Sequence, residues 1–164
     1  MKSVAKRALI VLGAALALGA VNLAVIGKEH IRRSGEIVYL PLAPVDPRSL
    51  VQGDYLALRF ALAGELERRD QSAGHDEREG EMAYAPLALD DRRVASLSGE
   101  AAPAAMKLRY RIRAGHVWLG TNAFFFEEGT ADRFRGARYG EFRVDRGTGE
   151  AVLVGLRGAG LEAM

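Results

Sequence analysis

A stretch of 19 residues without a charged side chain, Ala8 to Ile26, limits most strongly how this chain can fold. Its one polar side chain is that of Asn22. At about 1.5 Å per residue, a helix over this stretch is about 28 Å long and matches a hydrocarbon core of about 30 Å. The sequence therefore predicts a transmembrane helix that enters a lipid bilayer through residues 8–26.

Two other interpretations of the stretch stay open. The triplet Ala15-Leu16-Ala17 fits the pattern at which signal peptides are cleaved, although cleavage after Ala17 would leave an apolar new terminus. A buried helix of a soluble protein is the other interpretation, but such helices usually carry a polar face. An uncleaved anchor is the prediction that accounts for the whole stretch.

The charges next to the stretch predict its orientation. Lys2, Lys6 and Arg7 precede it in a short tail, and cations on a short tail favour the cytoplasmic side. Lys28 and the cations after it weaken this asymmetry. We expect a single-pass membrane protein with its N-terminus in the cytoplasm and its C-terminal part exported.

The charge of the whole chain is unevenly distributed. Residues 1–33 hold six Lys/Arg and one acid, a net charge of +5, whereas residues 34–164 hold 17 basic and 20 acidic side chains, a net charge of −3. Basic side chains beside a membrane set the orientation of the helix and attract anionic lipid headgroups. We therefore expect no nucleic-acid partner. The absence of cysteine excludes disulfides, thiolate metal sites and thiol nucleophiles.

The rest of the chain has the periodicity of strands. Residues 106–113 alternate strictly between apolar and cationic side chains, which predicts a strand with one core face and one wet face. Ala114-Gly115 is typical of a turn, so 106–126 is predicted to be a hairpin, and 139–156 a second one around Gly147 and Gly149. The other predicted strands are 36–42, 54–62, 82–90 and 92–97.

The predicted organisation is an anchor followed by one domain. Residues 1–33 would form the cytoplasmic tail, transmembrane anchor and juxtamembrane linker, and residues 34–164 an extracytoplasmic domain. The fold class is mainly β, a single β-sandwich or barrel-like domain of about seven or eight strands. Residues 64–81 carry ten charges and predict an exposed excursion, with a short helix around 65–70 or a charged loop.

The segment from Leu40 to Phe60 is unusual. Three prolines stiffen its first half, and Gly53 permits a sharp entry into a strand. In that strand Tyr55 lies on one face, and Leu58 and Phe60 lie on the other. The segment predicts a rigid turn that leads into a strand.

This segment resembles the bacterial GDYXXLXY family. Gly53, Asp54, Tyr55 and Leu58 match the motif, with Phe60 in place of the final tyrosine. The lead-in 44–50, the N-terminal membrane segment and the Phe126-Glu127-Glu128-Gly129 run are also similar. The resemblance implies a membrane-anchored exported domain, often encoded beside multi-pass membrane proteins, in a family without an established activity. For this chain it implies a single-pass protein of the bacterial inner membrane with the C-terminal domain in the periplasm.

Two roles for the motif stay open. In the structural role, Asp54 binds backbone amides of the turn, Tyr55 packs and Leu58 lies in the core. In the functional role, a polar cluster at one end of the sheet contacts a membrane partner or ligand. The candidate binding residues of this cluster are Asp46, Arg48, Asp54 and Tyr55.

The sequence favours a non-catalytic accessory or partner-binding protein, possessing no cofactor and no metal. The run Leu50 to Asp54 looks like part of the nucleophile region of signal peptidases, but Val45 or Pro44 stands where the serine would be. The three histidines are too scattered to form a metal site. The alternative is a cell-envelope hydrolase with a polar site around Asp54 and carboxylates near Glu127.

Overall fold

A single helix, α1, occupies Lys2–Ser34 at the start of the chain. We describe a computed structural model over residues 2–43, 51–52, 55–72, 80–99 and 103–164. The most apolar window of α1 has a mean hydropathy of 2.5 and packs against no other part of the described chain. The helix is long and apolar enough to cross a membrane, as the sequence predicts for residues 8–26.

The last turns of α1 pack on the β domain. Ile31 is buried there, and the amide of Gly35 donates to the Ile31 carbonyl at 2.8 Å. A Cβ atom on Gly35 would lie 2.5 Å from that carbonyl oxygen and 3.0 Å from the Val144 nitrogen. Only glycine fits this close approach. The end of the helix is therefore held against β9 by the close approach of Gly35 to Val144.

The rest of the described chain is mainly β and curls into a half-barrel with one short helix, which confirms the predicted fold class. All strand pairs within its three sheets are antiparallel, in the orders β1-β9-β10, β5-β4-β6-β7 and β2-β3-β8. The strands are β1 (Glu36–Pro41), β2 (Val51–Gln52), β3 (Tyr55–Ala57), β4 (Met82–Leu89), β5 (Ala95–Leu97), β6 (Met106–Arg113), β7 (His116–Trp118), β8 (Ala123–Phe125), β9 (Tyr139–Val144) and β10 (Ala151–Arg157). Isolated bridges, Tyr39 to Val94 and Leu42 to Phe60, connect parts of the half-barrel.

The hairpin predicted over 139–156 is present, as is the first part of the one predicted over 106–126. β6 and β7 join through Ala114 and Gly115, which both have positive φ, as a tight hairpin turn requires. β9 and β10 join through a turn in which the Asp145 carboxylate accepts from the Thr148 amide at 2.7 Å, and Gly149 has a φ of 70°. The local turn chemistry explains why these two hairpins could be predicted.

The strand predicted for residues 54–62 is wrong in its second half. β3 ends at Ala57, and a helix, α2, occupies Ala61–Ser72. Leu62 and Leu66 are buried one helical turn apart, so α2 covers the core with a narrow apolar face. The short helix predicted around 65–70 is confirmed and is longer than predicted, and residues 73–79 of the predicted charged excursion lie outside the described residues.

The hairpin predicted over 106–126 is interrupted. β7 ends at Trp118, and Gly120 turns the chain with a φ of 93°, so that β8 joins β3 in a different sheet. A Cβ on Gly120 would lie 3.1 Å from the Ala151 carbonyl. The break therefore results from close packing of the chain against β10.

One core lies inside the half-barrel. Its largest fully buried side chains come from four strands and the segment after β7: Val38, Leu40, Leu87, Leu108, Leu119, Phe142 and Val144. The strict alternation of 106–113 agrees with this core, because Met106, Leu108 and Tyr110 are buried while the intervening cations are not.

Candidate functional site

The predicted polar cluster lies largely outside the described residues. Asp46, Arg48, Gly53 and Asp54 belong to residues that the structure does not describe, so both roles of Asp54 stay predictions. Tyr55 is described and opens β3. The part of the candidate site that the structure describes is therefore the surface around Tyr55.

The chain after Tyr55 anchors this surface in the core. Leu58 and Phe60 are buried, whereas Ala57 and Arg59 are exposed. The Phe60 ring meets the Phe142 ring edge-to-face at 5.3 Å between centroids. The end of the motif thus fixes β3 through apolar packing.

Two strands flank Tyr55. It pairs with Gln52 of β2 on one side and with Phe125 of β8 on the other. The Tyr55 and Phe125 rings lie 5.9 Å apart at 44°. Within the described residues β8 has β3 as its one strand partner, so its other side is a sheet edge.

Phe125 is the residue that sequence reasoning missed. It is 75% exposed, more than Leu23 of the apolar helix at 72%. Its place in an aromatic run predicts a strand, but the run does not show which rings face solvent. We call the Tyr55 and Phe125 pair, with the free side of β8, the aromatic edge.

The hydrolase hypothesis is not tested by the structure, because Asp54 lies outside the described residues. Glu127 and Glu128 are both exposed. No group of three or more His, Asp or Glu that could hold a metal is found in the described ranges. His116 instead lies 3.5 Å from Glu67, whose carboxylate also accepts from the Val117 amide at 2.9 Å. The hydrolase stays a prediction that depends on Asp54.

Two carboxylates bind cations where α1 meets the domain. Glu36 contacts Arg146, which holds the pKa of the Glu36 carboxyl below its ordinary value, and Arg93 adds to this at 3.1 Å. Lys28 contacts Glu150 and lowers the pKa of that carboxyl, with Arg109 at 2.9 Å as a further cause. Protonation of these carboxylates would remove charge pairs from the junction.

We expect acid to weaken this junction. Because both carboxyls have a lowered pKa in the folded chain, their stabilisation is present above the ordinary glutamate value of 4.5 and is lost as the pH falls through the folded values. The midpoint of thermal unfolding of the full chain in detergent, measured from about pH 7 to about pH 3, should fall with acid. In Glu36→Gln the midpoint should fall less over this range, and identical pH profiles would contradict the assignment.

Comparison with known proteins agrees with the motif. The family model described as GDYXXLXY protein matches residues 17–156, which is most of the chain. A search of the curated proteins and a search of the solved structures each return no match. The matched range includes the second half of the apolar helix, the motif and nine complete strands together with nearly all of β10. The chain therefore belongs to the GDYXXLXY family.

Proposed function

We propose that this protein is a membrane-anchored, non-catalytic accessory protein whose domain binds a multi-pass membrane protein through the aromatic edge. Residues 1–33 provide tail, anchor and linker, and residues 34–164 the binding domain. The domain lies on the periplasmic side of a bacterial inner membrane, because the tail cations favour the cytoplasm. The observation that carries the proposal is the exposure of Phe125 beside Tyr55 on a sheet edge.

An exposed phenylalanine on a free strand edge is a feature that soluble domains usually avoid. Edge strands expose unpaired amides and carbonyls, and natural proteins protect them with charges or cover them. β8 instead carries Phe125 at 75% exposure. An extended segment of a partner can pair with such an edge while an apolar side chain covers the ring.

Tyr55 is the residue of the aromatic edge that we expect to contribute most to the affinity for a partner. Interface residues that contribute most to affinity are enriched in aromatic side chains. The Tyr55 backbone pairs with β2 and β8 on its two sides and the residue is half-buried, so its side chain loses little conformational freedom on binding. The family motif thus places its tyrosine next to the exposed ring.

The anchor explains why the partner would be a membrane protein. α1 confines the domain to the membrane surface, where loops of another membrane protein reach it at a high effective concentration. A modest aromatic interface is then sufficient for stable association. A soluble partner would gain nothing from this confinement.

Single cysteines can test both location and contact, because the chain has no cysteine. We expect Phe125→Cys and Tyr84→Cys to react with a membrane-impermeant maleimide in intact spheroplasts. Tyr84 is a matched control, since it is 52% exposed on another sheet. Phe125→Cys should react about tenfold more slowly in membranes than after purification. A partner that favours the covered edge by a free energy of about 1.4 kcal/mol protects the thiol by this factor.

The outcomes separate the two parts of the proposal. Labelling of both variants only after lysis would contradict the periplasmic location. Equal rates for Phe125→Cys in membranes and after purification would contradict a covered aromatic edge. Equal slowing at Tyr84→Cys would show general shielding by the membrane and would also contradict it.

A further inference from the structure

A basic cavity lies where α1, β6 and the β9–β10 turn meet. Its volume is about 260 Å³. Its lining includes four cations, one carboxylate and one indole: Lys28, Arg109, Arg111, Arg113, Glu150 and Trp118. We call this the junction pocket. In the sequence, these arginines are recognisable only as the solvent-exposed face of a strand.

The fold brings these residues together from four parts of the chain. Arg109, Arg111 and Arg113 alternate along β6 and so share one face. The β9–β10 turn lies against this strand, because the Arg109 amide donates to the Gly149 carbonyl at 2.7 Å. A Cβ on Gly149 would lie 3.1 Å from the Lys107 carbonyl, so glycine permits this approach. The turn thereby places Glu150 between β6 and Lys28.

The charges of the junction pocket do not balance. Glu150 is its one carboxylate, and it is shared by Lys28 and Arg109. Arg113 lies 5.6 Å over the Trp118 ring. Arg111 has no carboxylate partner among the described residues. With a net charge of +3, the cavity favours an anion with several acceptor oxygens, such as a phosphate group.

The position of Lys28 places the junction pocket at the height of lipid headgroups. Lys28 follows the apolar stretch by two residues, which is about 3 Å of helix. The headgroup layer extends about 5–8 Å beyond the hydrocarbon core on each side. α1 continues to Ser34, and the domain packs back along these last turns. The pocket therefore opens beside the bilayer surface, and Trp118 is a residue typical of that interface.

We infer that the junction pocket binds the phosphate of an anionic phospholipid headgroup from the leaflet on the domain's side. Arg111 and Arg113 donate to the phosphate oxygens, and Lys28 adds positive charge. The bound headgroup holds the domain at a fixed tilt over the membrane. This inference rests on the insertion of α1 that the proposed function requires, but not on the aromatic edge.

The full-length protein in lipid nanodiscs provides the test. Trp118 is the one tryptophan of the chain, so its fluorescence reports on the junction pocket alone. We expect its emission to shift to shorter wavelength as phosphatidylglycerol replaces phosphatidylcholine, because the headgroup excludes water from the indole. Arg111→Ala should raise the lipid fraction that gives half the shift about fivefold, the contribution of one cation near an anionic membrane surface.

Controls distinguish this site from general charge effects and from a free anion. Arg135→Ala removes an exposed arginine that does not line the pocket, and its titration should match the wild type. Inorganic phosphate added to phosphatidylcholine discs should leave the emission unchanged; an equal shift would overturn a lipid site. An equal effect of Arg111→Ala and Arg135→Ala would also overturn it.

Failure of the inference differs from failure of the proposed function. Protein that does not co-elute with the discs would contradict membrane anchoring, and with it the inference. Protein that co-elutes but shows the same Trp118 emission in both lipids would overturn the junction pocket as a headgroup site and leave the anchor intact.

Discussion

Replacing Phe142 by alanine is expected to lower the free energy of unfolding by about 3–5 kcal/mol. Phe142 is fully buried on β9, the central strand of its sheet, between Val38 and Leu153. Its ring also meets that of Phe60, at the end of the family motif. Removing the ring leaves a cavity that the two neighbouring strands cannot close without breaking their ladders.

Urea denaturation of the detergent-solubilised chain measures this loss. Phe125→Ala is the matched control, because the same atoms are removed from a ring that is 75% exposed. The control should change stability by less than about 0.5 kcal/mol. Similar losses for the two variants would contradict the placement of Phe142 at the centre of the core.

Arg157→Met is expected to lower the free energy of unfolding by about 3–5 kcal/mol. Arg157 donates through Nε to the Glu141 carboxylate at 2.5 Å and contacts it again through Nη2. Glu141 is 6% exposed and is the one buried charged residue in the described chain. The large loss comes from leaving the Glu141 charge buried without its partner, not from the attraction itself.

A second substitution separates the cost of the unpaired buried charge from the loss of the attraction between Arg157 and Glu141. Adding Glu141→Met to Arg157→Met removes the uncompensated charge, so most of the lost stability should return. Arg135→Ala, which breaks an ion pair exposed on both sides, should cost less than about 1 kcal/mol. A double variant as unstable as Arg157→Met alone would contradict a cost due to the buried charge.

Local patterns predicted the elements whose signals lie within a few residues. The alternation of 106–113 and the turn residues Ala114 and Gly115 specify a strand and its hairpin wherever the core lies. The same holds for the turn at Asp145. α2 was missed as a full helix because Leu62 and Leu66 supply only a narrow apolar face among many charges, a weak helical period.

The candidate site was predicted only in part. The motif directed attention to Tyr55, and the structure places it in β3. Phe125 could not be selected, because a run of three phenylalanines gives no sign of which ring faces solvent. The Phe124 and Phe126 rings both pack on the Phe134 ring, at centroid distances of 5.1 Å and 5.4 Å, whereas the Phe125 side chain is exposed. Alternation in a strand explains this only once the buried face is known.

The sequence by itself determined the apolar helix, the mainly β domain and the family, because each depends on composition, period or a short motif that is independent of distant neighbours. Only the tertiary structure decided which surfaces those elements expose. The tertiary structure buries Ile31 against the domain, places β8 at the edge of its sheet, and brings Lys28 into the same cavity as the arginines of β6. Lys28 and Arg109 are more than 80 positions apart in the chain. A local sequence pattern cannot specify a contact between residues so far apart.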